Sequence, residues 1–246
     1  MNKIKNIYLS YWFKELDYNP SSKVEELSSE VRSIIDKPLM YNNEMPNTNI
    51  AIPRIQGISS DNKYFFTMSL INAILSINIT EDIDIDEAIL LINNNVQLFY
   101  DIIKKVYDVK IVYTSIKIEM TNEDKRVKNK LIKLLNRPDN EYENITLREG
   151  IMKDDYYINY VLEYSSEYNF DIEHDVKLSE EDLFNKTMVT SLSDAQLSKR
   201  YLLTVVEIND RYSYNKNNKH ETNKDDIRGM ILELKDILKN ELYWKK

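Results

Sequence analysis

Apolar and polar positions alternate at the start of the chain, where Ile7, Leu9, Tyr11 and Phe13 share one parity. Ile4, Ile7, Tyr8 and Tyr11 also fit a helical period there, but aromatics at that density favour a pleated surface, and a strand is expected over 4–13. The period then changes. Val24, Leu27, Val31 and Ile34 recur at helical spacing behind Ser22 and Glu25, a capping-box pair, and Pro38 bars continuation. Residues 41–53, with Pro46 and several asparagines, read as a loop. A short strand over 50–58 carries Pro53, which confines it to an edge or an end, and Gly57 with Ser59-Ser60-Asp61-Asn62 turns the chain back as a hairpin.

Residues 63–79 are rich in β-branched and aromatic residues with no Gly or Pro, which predicts one long strand, apolar on both faces and central in a sheet. A helix should begin at Asp84, whose side chain and that of Glu87 can satisfy two free amides reciprocally. Ile85, Ala88, Ile89, Ile92, Val96, Phe99, Ile103 and Val106 form its stripe, and Val109 to Ile118 reads as the next strand. Thr121 and Asp124 would cap a helix carrying Val127, Leu131 and Leu134 before Pro138, and 139–150 reads as a join.

The second half has the clearest alternation, with Tyr156, Ile158, Tyr160, Leu162 and Tyr164 on one face and Asp155, Asn159, Glu163, Glu167 and Asn169 on the other. That is the signature of a half-solvated antiparallel strand, with a bend at Ser165-Ser166. Residues 176–199 are poorly patterned around a short helix at 180–186, and 200–214 predict a long strand. Thr222 and Asp225 would cap a last helix with the stripe Ile227, Met230, Ile231, Leu234, Ile237, Leu238 and Leu242. Lys63-Tyr-Phe-Phe-Thr-Met68 resembles Arg200-Tyr-Leu-Leu-Thr-Val205, each ahead of a capped helix, as a strand, strand, helix unit used twice would produce. The expected fold is α+β: a mostly antiparallel sheet with helices on one face, in two halves, 1–138 and 139–246, packed as one compact unit.

Composition narrows the chemistry. None of the 246 residues is cysteine, which excludes disulfides, thiolate metal sites and cysteine nucleophiles. Three glycines leave no room for a Gly-rich phosphate loop, so no nucleotide cofactor of that kind is expected. A net charge of −8 disfavours nucleic acid as a partner, and no apolar run approaches the ~20 residues that span a bilayer. The first apolar stretch ends at Phe13 before Lys14 and Glu15, too soon for an export signal, so a cytoplasmic protein without membrane contact is expected.

Three acidic constellations could hold a metal. Glu81-Asp-Ile-Asp-Ile-Asp-Glu87 has alternating carboxylates, but a helix N-terminus is their ordinary place. Asp171, His174 and Asp175, with Glu173, gather an imidazole among carboxylates, the basis of a metal-dependent hydrolase or nuclease reading, although strand alternation would part them. Asp108-Val-Lys110 and Asp175-Val-Lys177 match a nuclease triplet, with Asp86 or Asp155 as upstream partners. His220 lies in an Asn- and Lys-rich loop and reads as exposed.

The 18 tyrosines are the remaining unusual feature, and an AT-rich coding sequence accounts for many of them. Tyr157, Tyr212, Tyr214, Tyr243 and Trp244 fall on polar faces or ends, with Glu163 and Glu167 nearby, and tyrosine gives large contact area at small entropic cost. By subtraction, the expectation is a non-enzymatic adaptor or inhibitor that binds another protein through this Tyr-rich, acidic surface. A rival is an acidic mimic of nucleic acid, which needs the acids of 81–87, 154–155 and 171–175 on one face.

Overall fold

The computed structural model describes residues 3–42, 49–123, 145–170, 195–216 and 220–241, with the backbone alone at 145, 165–170, 195–200 and 241. Its strands are β1 (Lys3–Phe13), β2 (Met40–Tyr41), β3 (Ile55–Ile58), β4 (Tyr64–Met68), β5 (Asn72–Asn78), β6 (Ile111–Asn122), β7 (Ile145–Lys153), β8 (Tyr156–Phe170) and β9 (Ala195–Asn209). The α-helices are α1 (Val24–Val31), α2 (Ile85–Tyr107), α3 (Arg211–Lys216) and α4 (Lys224–Asp236), which runs on into a π-helical turn, Ile237–Glu241. All nine strands pair antiparallel in one sheet, in the order β2-β3-β4-β5-β1-β6-β9-β8-β7. This is the α+β architecture the alternation predicts.

One row of paired residues shows how the sheet chooses its buried side. Phe66, Leu75, Leu9, Ile116, Ile208 and Ile158 are consecutive partners across six strands, and all are fully buried. Side chains change face at every residue, so the next row (Phe65, Ser76, Tyr8, Lys117, Glu207, Asn159) is polar or aromatic and none of it is fully buried. A one-residue slip would exchange the two rows.

Helices cover the apolar rows. The Tyr11 hydroxyl donates to the Val96 carbonyl of α2 at 2.7 Å, and Phe66 meets Phe99 at 5.4 Å between ring centroids. The α2 stripe is seated as expected, with Ala88, Ile92, Val96, Phe99, Ile103 and Val106 at zero exposure. Helix α4 runs antiparallel to α2: Lys224 at its start bonds Asp101, while Lys235 and Lys239 at its end bond Asp86. Where α4 crosses β8 it has Gly229, because a Cβ there would collide with the Tyr156 hydroxyl.

Several boundaries differ from the sequence expectation, each for a local reason. Residues 63–79 form the hairpin β4–β5 rather than one strand. Its turn needs neither Gly nor Pro, because the Ser69 hydroxyl accepts the Ile71 and Asn72 amides, both at 3.2 Å. The ribbon is nonetheless interior to the sheet, between β3 and β1. Helix α1 follows a 3-10 turn, Pro20–Lys23, capped by Asn19 accepting the Ser21 amide; Ser22 and Glu25 form no box there, and the helix ends at Val31. Thr121 lies in β6, and 145–150, within the expected join, belong to β7. The helix expected behind Asp124 falls outside the described residues.

The repeat takes a different unit from the one expected. Strand β1 and the meander β3-β4-β5 precede α2; β6 and the meander β7-β8-β9 precede α3 and α4, with β1 and β6 adjacent at the centre. The similar segments at 63–68 and 200–205 lie on the middle strand of one meander and the last of the other, so they are not structural equivalents.

Candidate functional site

No helix among the described residues lies over the polar face except short α3, which sits at one end of it. The predicted strand over 200–214 stops at Asn209. There the Asn209 side chain accepts the Arg211 amide at 3.2 Å and the Asp210 carbonyl accepts the Ser213 amide at 3.1 Å, which starts α3 instead. Tyr212 and Tyr214 therefore stand on a helical turn, not on a strand. The turn carries Tyr212 edge-on to Tyr157 of β8 at 5.5 Å and Tyr214 to Tyr113 of β6 at 6.0 Å. Tyr113 stacks on Trp12 of β1 at 5.3 Å and 14°.

Between these rings lies a cavity of about 460 Å³ whose polar lining is Asn159, Glu207, Asn209, Arg211 and Asn215. Glu207 is its centre. One carboxylate oxygen accepts from the Ser115 hydroxyl at 2.6 Å and from the Asn209 amide at 3.5 Å, the other from the Asn159 amide at 3.2 Å. The Arg211 guanidinium lies 5.7 Å from the Tyr113 ring centroid. Burial pushes the Tyr113 hydroxyl above its ordinary pKa.

A second cluster ties down α3 from the helical side. The buried Asp210 carboxylate accepts the Thr114 amide at 2.6 Å, the Thr222 hydroxyl at 2.6 Å and a contact from His220 Nε2 at 3.0 Å. Burial raises the Asp210 pKa, against the opposing pull of Thr222, His220 and Thr114. His220 is thus half-buried and engaged, not exposed in a loop as its neighbours suggested. Thr222 is consumed by this contact, so the α4 capping box is Asn223 with Asp226, one residue later than expected. Asp210, His220 and Asp226 bring ligand atoms within 4.8 Å of one another, while Asp210 already accepts the Thr222 hydroxyl and Asp226 the Asn223 amide.

The other expected site residues are dispersed or undescribed. Glu163 lies on the open face six residues from Tyr157 along β8, roughly 20 Å away. Only the backbone of Glu167 is described, paired to Lys199. Tyr243, Trp244, Asp171, His174 and Asp175 lie outside the described residues. In the acidic run 81–87, Asp84 and Glu87 form the expected capping box, Asp82 bonds Lys3, and Asp86 bonds Lys235 and Lys239. Asp86 and Asp108 flank the two ends of α2, about 33 Å apart, so they cannot share a metal with Lys110. The acids at 81–87 follow β5 and those at 154–155 precede β8, at opposite ends of the strands, while those at 171–175 lie outside the described residues.

Trp12, Tyr113, Asn159, Glu207 and Arg211 were not singled out by sequence. A signal existed for two of them: Trp12 has the outward parity of β1, and Glu207 interrupts an apolar run from Leu202 to Ile208. No family model matches the chain, and no curated protein matches it.

Proposed function

We propose that the chain is a non-enzymatic binding protein that engages another protein through the open face of its sheet, around Tyr157, Tyr212, Tyr214, Trp12 and Tyr113. One observation carries this reading: a sheet face spanning nine strands is covered by no described helix but short α3, yet bears half-buried aromatics in ring contact, Trp12 with Tyr113, Tyr113 with Tyr214 and Tyr157 with Tyr212. Rigid aromatic rings beside hydrogen-bonding amides are what recognition surfaces are made of. Its carboxylates are not a bare acidic field, since Glu119 is held by Lys117, Asn6 and Tyr8, and Glu207 by Ser115 and Asn159. The chemistry on offer is therefore polar and aromatic contact rather than charge attraction. No helix among the described residues is long and apolar enough to cross a membrane.

A photoreactive phenylalanine analogue at Tyr157, and the same group at Leu232 on the exposed side of α4, test the reading in extract of the native host. Position 157 should yield a protein adduct that Trp12→Ala or Tyr212→Ala removes. An adduct from position 232 that open-face substitutions leave unchanged, with none from 157, would contradict it.

A further inference from the structure

We propose that the cavity between Trp12, Tyr113 and Tyr157 is a binding site for a neutral polyhydroxylated ring, a pyranose unit of a carbohydrate. The inference goes beyond a protein partner and does not depend on one.

Size is the first support. A volume of about 460 Å³ falls within the range of small-molecule sites, roughly 300–1,000 Å³. The lining is the second. Its fixed charges are one carboxylate, Glu207, and one guanidinium, Arg211, which cancel and so favour neither a cationic nor an anionic guest. What remains is hydrogen-bonding capacity that the described residues do not use. Neither the Arg211 guanidinium nor the Asn215 side chain is hydrogen-bonded to another described residue. The Asn159 amide donates to Glu207, but its side-chain carbonyl receives no hydrogen from a described residue, and its cross-strand partner is Gly150, which has no side chain to cover it. Among the described residues, the Glu207 oxygen facing Asn159 accepts that one bond, leaving a lone pair.

A hydroxyl group both donates and accepts, so a ring carrying several can donate to Glu207 and Asn159 and accept from Arg211 and Asn215 at once. A guest that displaces water from these groups must replace the hydrogen bonds it removes, which favours one that brings many hydroxyls. The apolar C–H face of a pyranose meets the aromatic wall of Tyr157 and Trp12, which buries apolar area without requiring charge.

The chain has two tryptophans, so replacing Trp244 by Phe leaves Trp12 as the reporter. Titration with methyl glucopyranosides, methyl galactopyranosides and N-acetylglucosamine should give a saturable change in Trp12 fluorescence for at least one sugar below about 50 mM, a weak-site range. Saturation-transfer NMR should place the ring C–H protons against aromatic side chains. Glu207→Gln and Tyr157→Ala should each weaken binding at least about tenfold. Arg211→Ala, at an exposed position on α3, repeats the test should either of those fail to fold, and Glu163→Gln, on the same face outside the cavity, should bind like the parent. The proposal is overturned if no sugar saturates, if the cavity variants bind as the parent does, or if adenosine or tetramethylammonium saturates Trp12 instead. Sugar binding with no protein adduct from position 157 would sink the protein-partner reading alone; the converse would sink this one.

Discussion

The two faces of the sheet are built from the same residue types to opposite ends. On the helical face Tyr11 is fully buried, its ring in the core and its hydroxyl donated to Val96; on the open face Tyr157, Tyr212 and Tyr214 are half-buried, with Tyr212 against Tyr157 and Tyr214 against Tyr113. Tyr8 stands between the cases: desolvation, helped by Glu119, pushes its hydroxyl up to about 12 while Lys117 lies over the ring at 3.8 Å. What separates the faces is residue parity. Identity of the amino acid says little until the strand has fixed which way it points.

Substitutions should therefore separate stability from recognition. Phe99→Ala, which opens a cavity against Phe66, should cost about 3–5 kcal/mol by denaturant melt, whereas Tyr157→Ala should stay within about 1 kcal/mol and act on binding. Equal costs would erase the distinction between the faces. Asp210→Ala should come next, at about 2–4 kcal/mol, since it strands the Thr222 hydroxyl and Thr114 amide in a buried place. It should also loosen α3, so sugar binding and the position-157 adduct should fall with it; a variant that melts early but keeps both would detach the clasp from the site.

Asp84→Ala should lower stability by about 1 kcal/mol through the lost α2 cap, with no effect at the open face. The smallest effect belongs to Asp86, whose carboxyl Lys239 and Lys235 hold down at about 2. Its folded pKa lies below the unfolded value, so its contribution is present above the unfolded pKa and is lost as pH falls through about 2. Asp86→Asn should therefore reduce the steepness of acid unfolding slightly, and added salt should mask the difference. A parent and variant with identical acid limbs at low salt would show the pairing to be idle.

Much of the fold was legible because it rests on periodicity. The alternation of β1 and β8, the stripe of α2 and the Asp84–Glu87 box all follow from residue spacing alone. The hairpin at Ser69 was not legible, since a serine hydroxyl did the work usually advertised by glycine or proline. The break at Asn209 was hidden for the same reason: Asn209 and Asp210 end the strand through side-chain and carbonyl contacts that an apolar count does not register. The site was half legible. Tyr157, Tyr212 and Tyr214 could be picked out as polar-face aromatics, but their company, Trp12, Tyr113 and Glu207, comes from strands distant in sequence that only the order β1-β6-β9-β8 brings together.

Hydroxyl-radical footprinting of the tyrosines, in purified protein and in native host extract, tests the division of faces most directly. Tyr157, Tyr212 and Tyr214 should be modified in isolation and protected in extract, while Tyr11 and Tyr107 should stay unmodified in both. Protection confined to the outer side of α2 and α4, at Leu90 and Leu232, with the open-face tyrosines equally reactive throughout, would contradict it.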